Sequence, residues 1–489
     1  MLPILLLLSS PAGAATFISE PTTFLERSVS FIGIFVMIGL AWLISEKRKD
    51  IKWRPVLWGV GLQLAFALVV LNPVLQEFFF TVVDGGVRQL LSFAEAGANF
   101  VFQSVEPHQI ESGFGGGASE TFIGRISPPV KTFAFWILPT IVFFSALMSV
   151  LYHLGIMQVL IRGISWVMQR TMGTSGSESL AAASNIFVGQ TEAPLVIKPY
   201  VDSMTRSELH ALMTGGFATV AGGVLAAYVG FLRDIPGIAG HLVTASIMSA
   251  PAALALSKVV LPETEISPTA GKITHQVKTS AGNVLEAAAN GASEGVKLAI
   301  NVAAMLIAFV GLVAMFDFGL GLIPIAFSEG GVAFGWALAQ DQADLMVAAG
   351  EQIGSMKVVG AEPLSLSKIL GWLFFPIALA MGVPWDEATL VGTLLGEKIV
   401  LTELLAYIHL GEMINSPVPV LSERSAIIAS YALCGFANFA SIGIQLGGIG
   451  GLMKRKDGMR DLSSLALRAM AAGSLAAFMT GTIAGIILG

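Results

Sequence analysis

Charge and cysteine are both scarce in this sequence. Only 12% of its 489 residues are charged and 54% are hydrophobic, whereas soluble domains carry about 25% charged residues. This balance excludes an ordinary water-soluble fold. The single cysteine, Cys434, excludes an internal disulfide framework and every metal motif that needs two cysteines. No segment resembles a basic nucleic-acid-binding surface, so no nucleic acid partner is expected.

Long apolar stretches, in contrast, recur from one end of the chain to the other. They predict an all-α polytopic membrane protein that lies in the lipid bilayer. The first segment, Met1–Ala15, has a short leucine core followed by an A-x-A pattern, which predicts a signal peptide although the basic n-region is missing. The alternative is an uncleaved N-terminus at the membrane interface.

Basic residues beside two spans predict the orientation. Five lysines and arginines lie in Glu46–Arg54, directly after the first span, and a second basic loop covers Lys454–Arg460. Positive residues beside a span stay in the cytoplasm. Both termini are therefore expected in the periplasm of a bacterium, with the protein in the inner membrane.

The apolar segments predict eight spans in a repeated order. They lie at about 29–45, 55–80, 132–154, 209–231, 241–261, 283–318, 426–446 and 465–488. The expected organisation is N-terminal scaffold spans (28–155), a first repeat (156–261), a cytoplasmic linker (262–280), a scaffold helix with an external insertion (281–363), and a second repeat (364–489). Residues 84–130 are expected as a periplasmic loop and surface helix, and residues 156–172 and 364–383 as interfacial helices.

Two further apolar segments contain charge. Ser179–Val201 includes Asn185, Gln190 and Glu192, and Glu387–Leu410 includes Glu403. Charged groups at membrane depth are costly unless they face a cavity or a partner. Re-entrant helical hairpins meet this condition. Because the second half enters from the opposite side, the sequence predicts an inverted-repeat transporter with its substrate at the repeat interface.

Four polar segments are the candidates for chemistry: 184–194, 219–224, 401–407 and 435–441. Each one alone has a structural explanation, because glycine and asparagine often serve helix packing and a buried glutamate is sometimes half of an ion pair. Their symmetric placement in two repeats favours function. Amides and carboxylates suit an uncharged ligand rich in hydrogen-bonding groups, such as a nucleoside.

Three motifs give a specific resemblance. Gly189–Pro194 (GQTEAP), Gly382–Ala388 (GVPWDEA) and Cys434–Ile442 (CGFANFASI) resemble the concentrative nucleoside transporter family in sequence, order and spacing. The similarity runs from about residue 28 to the C-terminus. It implies eight spans, two re-entrant hairpins, a homotrimer and elevator-type movement of a transport domain.

The resemblance also implies roles for individual residues. Those at the substrate would be Gly189, Gln190, Thr191, Glu192, Val224, Glu403, Phe436, Asn438 and Ser441. The three polar residues 190–192 would face the nucleobase and Val224 would pack on it. The ribose hydroxyls would be held by Glu403, Asn438 and Ser441, with Phe436 lining the pocket.

A cation site is implied beside the first hairpin. Its positions are Asn185, Val188, Thr219 and Val220, which offer neutral oxygens suited to sodium. No cofactor is expected beyond this transported ion, and sodium is favoured over the proton. The chain departs from the family pattern at Thr219, where sodium-coupled members carry serine, at Thr402, where asparagine is common, and in an insertion near 331–358.

Other functions are less well supported by the sequence. An intramembrane enzyme is the main alternative, because Ser365 and Lys368 fit the loose Ser-x-x-Lys pattern, which is common by chance. No His-Glu-x-x-His or Gly-x-Ser-x-Gly motif is present, so we expect no enzyme. Channels lack paired hairpins. The six histidines fall mostly at span ends and loops and are interpreted as interface residues rather than proton relays: His108, His153, His210, His241, His275 and His409.

Overall fold

The structure is a computed structural model of the chain. It describes residues 17, 23–70, 73–102, 133–190, 192–270, 281–328, 331–338, 357–359, 361–416, 418, 420–454 and 457–488. The predicted signal peptide, Thr191 and parts of the linker and of the insertion lie outside these residues.

The N-terminal part consists of helices with apolar outer faces. They are α1 (Phe24–Leu43), α2 (Trp53–Val70), α3 (Pro73–Phe102), a π-helical turn (Phe133–Ile137) that leads into α4 (Leu138–His153), and α5 (Ile156–Met172). Helix α1 begins with a capping box in which Thr23 and Glu26 satisfy each other's backbone N–H groups. The second span, predicted at 55–80, is shorter than expected, because its helix ends at Val70. The separate helix α3 covers the first part of the expected periplasmic loop.

The segment that the sequence predicts as the first repeat contains a helix, an irregular turn and a broken helix. Its elements are α6 (Gly176–Asn185), α7 (Ala193–Val196), a 3-10 turn (Val201–Ser203), α8 (Arg206–Ala218), α9 (Gly222–Phe231) and α10 (Ile238–Val260). The limb that follows Glu192 is only briefly helical. Pro199 explains this, because proline has no N–H to donate and ends the regular structure.

The second repeat follows the same order with longer limbs. Its elements are α12 (Leu366–Ala380), α13 (Trp385–Val400), α14 (Glu403–Ile414), α15 (Glu423–Leu433), α16 (Phe439–Gly450) and α17 (Gly458–Ile487). Thr402 caps α14 and Asn438 caps α16 with their side chains. A cap fixes where a helix begins, so these two residues determine where the polar breaks fall.

Between the repeats lie a long helix and a small β-structure. Helix α11 (Val284–Gly321) packs against α4. It is followed by strands β1 (Ile325–Ser328), β2 (Gly331–Phe334), β3 (Trp336–Leu338), β4 (Lys357–Val359) and β5 (Glu362–Pro363). Strand β1 pairs antiparallel with β2 and β5, and β3 pairs parallel with β4. The expectation of an all-α chain is therefore corrected: short segments of the insertion that contain valine and aromatic residues form strands.

Seven of the described helical segments are long and apolar enough to cross a membrane. They are Phe24–Leu43, Trp53–Val70, Ala134–His153, Arg206–Phe231, Ile238–Val260, Val284–Gly321 and Gly458–Ile487. The count reaches eight if Leu366–Ala380 and Trp385–Val400, which meet at 117°, form one span. The predicted span at 426–446 is split by its break into helices of 11 and 12 residues, and each is too short to cross a bilayer alone.

Contacts with α1 and α17 show that the two broken helices, which begin with α8 and α15, start at opposite ends of α1. Glu46, just after α1, pairs with Arg206 at 3.1 Å and with Arg468 at 2.5 Å. Arg206 is the first residue of α8. At the other end, Arg424 in the first turn of α15 donates to Ser30 of α1 at 3.2 Å and to the Gly485 carbonyl of α17 at 2.7 Å. Helices α8 and α15 therefore enter the helical bundle from opposite ends.

Candidate functional site

The breaks in the two broken helices lie against each other. The N–H of Phe436 donates to the carbonyl of Thr219 at 3.3 Å. Gly435 has φ +143°, and a Cβ at this position would lie 2.8 Å from the carbonyl oxygens of Phe217 and Ala218. Only glycine fits such a close backbone approach. The two repeats therefore meet where each helix is interrupted.

Glu403 lies at this meeting point. It is the first residue of α14 and only 5% exposed. Its Oε1 accepts a hydrogen bond from Tyr228 Oη at 2.8 Å, and its Oε2 accepts one from Asn438 Nδ2 at 2.8 Å. A carboxylate has about four lone-pair sites, so both oxygens keep capacity for a ligand with hydroxyl groups.

Asn438 has a fixed orientation. Its Oδ1 accepts from the backbone N–H of Ser441 at 2.8 Å, which caps α16. Because a backbone N–H can only donate, the amide oxygen faces the helix and the amide nitrogen faces Glu403. The predicted ribose-binding residues Glu403, Asn438 and Ser441 are thus brought together by one cap and one hydrogen bond.

The predicted base-binding residues lie on the turn that follows α6. Gln190 Nε2 donates to Ser441 Oγ at 3.2 Å, which joins the first hairpin to the second repeat. A Cβ on Gly189 would lie 2.5 Å from Glu192 Oε2, so the Glu192 carboxylate lies close to the backbone of this turn. Thr191 lies outside the described residues.

Each of the two apolar candidates lies in or directly after one of the breaks. Val224 is buried in the first turn of α9, directly after the first break. Phe436 lies in the second break and is half-buried. An apolar surface beside convergent polar groups is the common form of a small-molecule site.

The cation candidates occupy the end of α6 and the first break. Asn185 is 1% exposed, and neither of its amide atoms has a hydrogen-bond partner among the described residues. A Cβ on Gly215 would lie 3.1 Å from Asn185 Nδ2, and the Gly215 carbonyl accepts from Thr219 Oγ1 at 2.8 Å. Asn185 and Thr219 therefore both lie against Gly215.

The backbone candidates of the cation site are also buried. Val188 is 9% exposed and Val220 is 1% exposed. The turn that holds Val188 is joined to the helix after the break, because Gly222 N donates to the carbonyl of Phe187 at 3.2 Å. A buried side-chain amide without a partner is costly, and a neutral oxygen in that position suits a cation that completes its shell.

Sequence reasoning missed three residues of this region. Tyr228 binds Glu403 and stacks on Tyr407 with ring centroids 4.1 Å apart. Gln445 binds Gln190, and fully buried Lys398 donates to the Ala432 carbonyl at 2.7 Å. Two of the three had a signal. Tyr228 and Gln445 each follow a predicted site residue by four positions on one helix, a spacing that places both side chains on one face.

The Ser-x-x-Lys pattern has a structural role. Ser365 is the N-cap of α12, and its Oγ accepts from the backbone N–H of Lys368 at 3.3 Å. The Lys368 ammonium pairs with Glu362 at 2.5 Å instead of activating the serine. This arrangement is a helix cap and does not resemble a nucleophile with its base.

Family models match almost the whole described chain. Residues 241–485 match "Na+ dependent nucleoside transporter C-terminus", residues 134–234 match "Nucleoside recognition", and residues 32–105 match "Na+ dependent nucleoside transporter N-terminus". The three regions follow one another along the chain without overlap.

Individual proteins and a solved structure match as well. The pig protein "Sodium/nucleoside cotransporter 1" is 39% identical over 94% of this chain and 64% of its own length. The Bacillus subtilis protein "Uncharacterized transporter YutK" is 39% identical over 94% of this chain and 98% of its own. The structure of "CNTnw in an inward-facing substrate-bound state" is 37% identical, with a TM-score of 0.76 over 94% of this chain and 99% of that chain. This chain spans about 59% to 64% of the length of the first mammalian relatives.

Proposed function

We propose that this chain, which belongs to the concentrative, Na+ dependent nucleoside transporter family, is a symporter that imports nucleosides across a bacterial inner membrane. The cation that enters with the nucleoside is proposed to be sodium rather than the proton. The family consists of transporters and not of enzymes. Uptake by this chain should therefore be saturable and driven by an ion gradient, and its polar site should bind the nucleoside without changing it chemically.

One observation carries the substrate assignment: Glu403, Asn438, Ser441 and Gln190 form a continuous polar chain between the two repeats. Glu403 is proposed to accept from two ribose hydroxyls, since hydrogen bonds to a charged acceptor are about twice as strong as neutral ones. Gln190, with Thr191, Glu192 and Gly189, is proposed to face the nucleobase. Val224 and Phe436 supply apolar walls.

Sodium coupling is supported by the environment of Asn185. Its amide is buried without a partner among the described residues, beside the carbonyl that holds the Thr219 hydroxyl. Sodium would complete this shell with the Asn185 side-chain oxygen, the Thr219 hydroxyl and the backbone carbonyls of Val188 and Val220. Neutral oxygen ligands suit a metal cation, and for this reason we favour sodium over the proton.

The proposed architecture has eight spans, two re-entrant hairpins and both termini in the periplasm. Scaffold segments (28–155 and 281–363) would support two moving repeats (156–261 and 364–489) joined by the cytoplasmic linker (262–280). The opposite entry of α8 and α15 supports this division. Helix α11 is 38 residues long, which supports a scaffold role. The homotrimer and the elevator movement are proposed from the family.

Uptake of labelled uridine into proteoliposomes tests the proposal. Purified protein is reconstituted with an inward sodium gradient, an inward proton gradient, or no gradient. Accumulation only with sodium is the expected result. Accumulation only with protons would keep the nucleoside assignment and overturn the cation site.

Failure of uridine to accumulate would be followed by adenosine, inosine and cytidine under the same gradients. Empty liposomes and liposomes carrying Glu403→Gln serve as controls. Competent protein that moves none of these nucleosides under any gradient would overturn the function.

A further inference from the structure

Gln445 holds the side chain of Gln190 in one orientation. Gln445 lies on α16, four residues after Ser441, and is 1% exposed. Its Nε2 donates to the Gln190 Oε1 at 3.0 Å and to the backbone carbonyl of Met213 at 3.1 Å. It therefore joins α16, α8 and the turn of the first hairpin, which belong to different repeats.

The Met213 carbonyl determines both amide orientations. A backbone carbonyl can only accept, so the nitrogen of Gln445 and not its oxygen must face Met213. The second N–H of that nitrogen then faces Gln190, which must present its oxygen. Gln190 consequently points its own nitrogen the other way, where it donates to Ser441 Oγ at 3.2 Å.

Gly216 of α8 leaves the space in which the two amide side chains meet. A Cβ on Gly216 of α8 would lie 2.8 Å from Gln445 Nε2 and 3.0 Å from the Cβ of Gln190. Any larger residue would separate the two amides. The close approach of Gln445 to Gln190 therefore depends on the glycine at position 216 as well as on their hydrogen bond.

We propose that Gln445 is a positioning residue that sets nucleobase specificity, by making Gln190 present an N–H donor to the bound base. The inference rests on the proposed nucleoside transport, with Gln190 at the base. One N–H of Gln190 goes to Ser441, and the second is available to the ligand. The site then favours bases that offer an acceptor at that position and disfavours bases that offer a donor.

The matched variants are Gln445→Glu and Gln445→Leu. A buried glutamic acid with its hydroxyl in the place of Nε2 donates its single proton to the Met213 carbonyl, and the same hydroxyl oxygen can then only accept a hydrogen bond from Gln190. Gln190 must then donate to it and present its own oxygen to the base. Leucine of similar volume removes both bonds and leaves Gln190 free to turn. Gln89→Glu on the exposed face of α3 is the control for the same substitution outside the site.

The readout is the ratio of kcat/KM for sodium-driven uptake of uridine and cytidine, which carry opposite donor and acceptor groups at positions 3 and 4 of the ring. We expect Gln445→Glu to shift this ratio by about fivefold or more, the factor for one hydrogen bond of about 1 kcal/mol. Gln445→Leu should bring the ratio towards one, and Gln89→Glu should leave it unchanged.

Equal losses for both nucleosides in the two Gln445 variants would overturn the inference, because a merely structural residue lowers all uptake alike. An unchanged ratio at full activity would also overturn it. Wild-type protein that transports uridine and cytidine keeps the proposed function in either case. Wild-type protein that transports no nucleoside would overturn the proposed function and this inference together.

Discussion

The hydroxyl of Tyr228 lies 2.8 Å from Oε1 of Glu403, a contact between residues 175 positions apart in the sequence. Tyr228 belongs to the first repeat and Glu403 to the second. The tyrosine ring also stacks on Tyr407, one turn along the helix that Glu403 begins. The carboxylate proposed to bind ribose is thus oriented by the opposite repeat.

The first prediction concerns Tyr228→Phe, which removes this donor and keeps the stacked ring. Without nucleoside, the free energy of unfolding should fall by about 1.5–3 kcal/mol, the range for a hydrogen bond to a charged group. Ribose hydroxyls should relieve the deficit, so a bound nucleoside should raise the unfolding temperature in detergent by more than in wild type.

Tyr407→Phe is its matched control. The Tyr407 hydroxyl donates to the Ser430 carbonyl at 2.7 Å and not to Glu403. This variant should lose stability while its nucleoside-induced shift stays that of wild type. Equal shifts in the two tyrosine variants would show that Tyr228 does not act on the ligand site.

Glu403→Gln should nearly abolish uptake. The substitution keeps the size of the side chain but loses the charge that strengthens bonds to hydroxyl groups. It also turns an amide nitrogen towards Tyr228 or Asn438, both of which donate to Glu403. We expect initial rates of uridine uptake to fall by at least about tenfold, the factor for losing about 1.5 kcal/mol.

Glu412→Gln on the same helix α14 provides the comparison, since Glu412 is half-buried and outside the site. Both proteins must be inserted equally, as judged by the amount recovered in the liposomes. Near-normal transport by properly inserted Glu403→Gln would remove Glu403 from the site.

Asn185→Ala tests the cation site. Removal of the side-chain oxygen should raise the sodium concentration needed for half-maximal uptake, because the ion loses one of its proposed ligands. The maximal rate at saturating sodium should change less. The measurement is uridine uptake as a function of external sodium.

Asn415→Ala at the end of α14 is the control, because among the described residues that amide donates to the Gly411 carbonyl of its own helix. Its sodium curve should match wild type. A sodium curve unchanged by Asn185→Ala would exclude the assignment of this residue to the cation.

Gly435→Ala should disrupt the contact between the two breaks. Its Cβ would collide with the carbonyl oxygens of Phe217 and Ala218 at 2.8 Å, at a φ of +143°. The strain should cost about 1–3 kcal/mol. The expected result is a lower unfolding temperature and a loss of nucleoside uptake.

Gly443→Ala makes the same change on α16, where a Cβ meets nothing within 4 Å. Alanine favours helix over glycine by about 0.5–1 kcal/mol, so this variant should be at least as stable as wild type. Similar stability of the two alanine variants would contradict the proposed role of the Gly435 approach.

Features that depend on near neighbours could be predicted from the amino-acid sequence. Long apolar runs and basic loops indicated a membrane protein, residues 156–172 were predicted as the helix that forms, and the three motifs identified the family. Asn438 and Thr402 each cap the helix that follows by accepting a hydrogen bond from the backbone N–H three residues later. Such signals act over one helical turn, so they can be read along the chain.

Contacts between groups that are distant in sequence could not be predicted and became visible in the folded chain. Gln190 and Gln445 are 255 residues apart, and Glu403 reaches Tyr228 across 175 residues. Part of the small β-structure likewise depends on segments that are distant in sequence, because β1 pairs with β5. These contacts depend on how closely whole helices and strands approach one another. That approach is fixed by packing at positions such as Gly216 and Gly435, and local patterns of hydrophobicity and charge do not encode it.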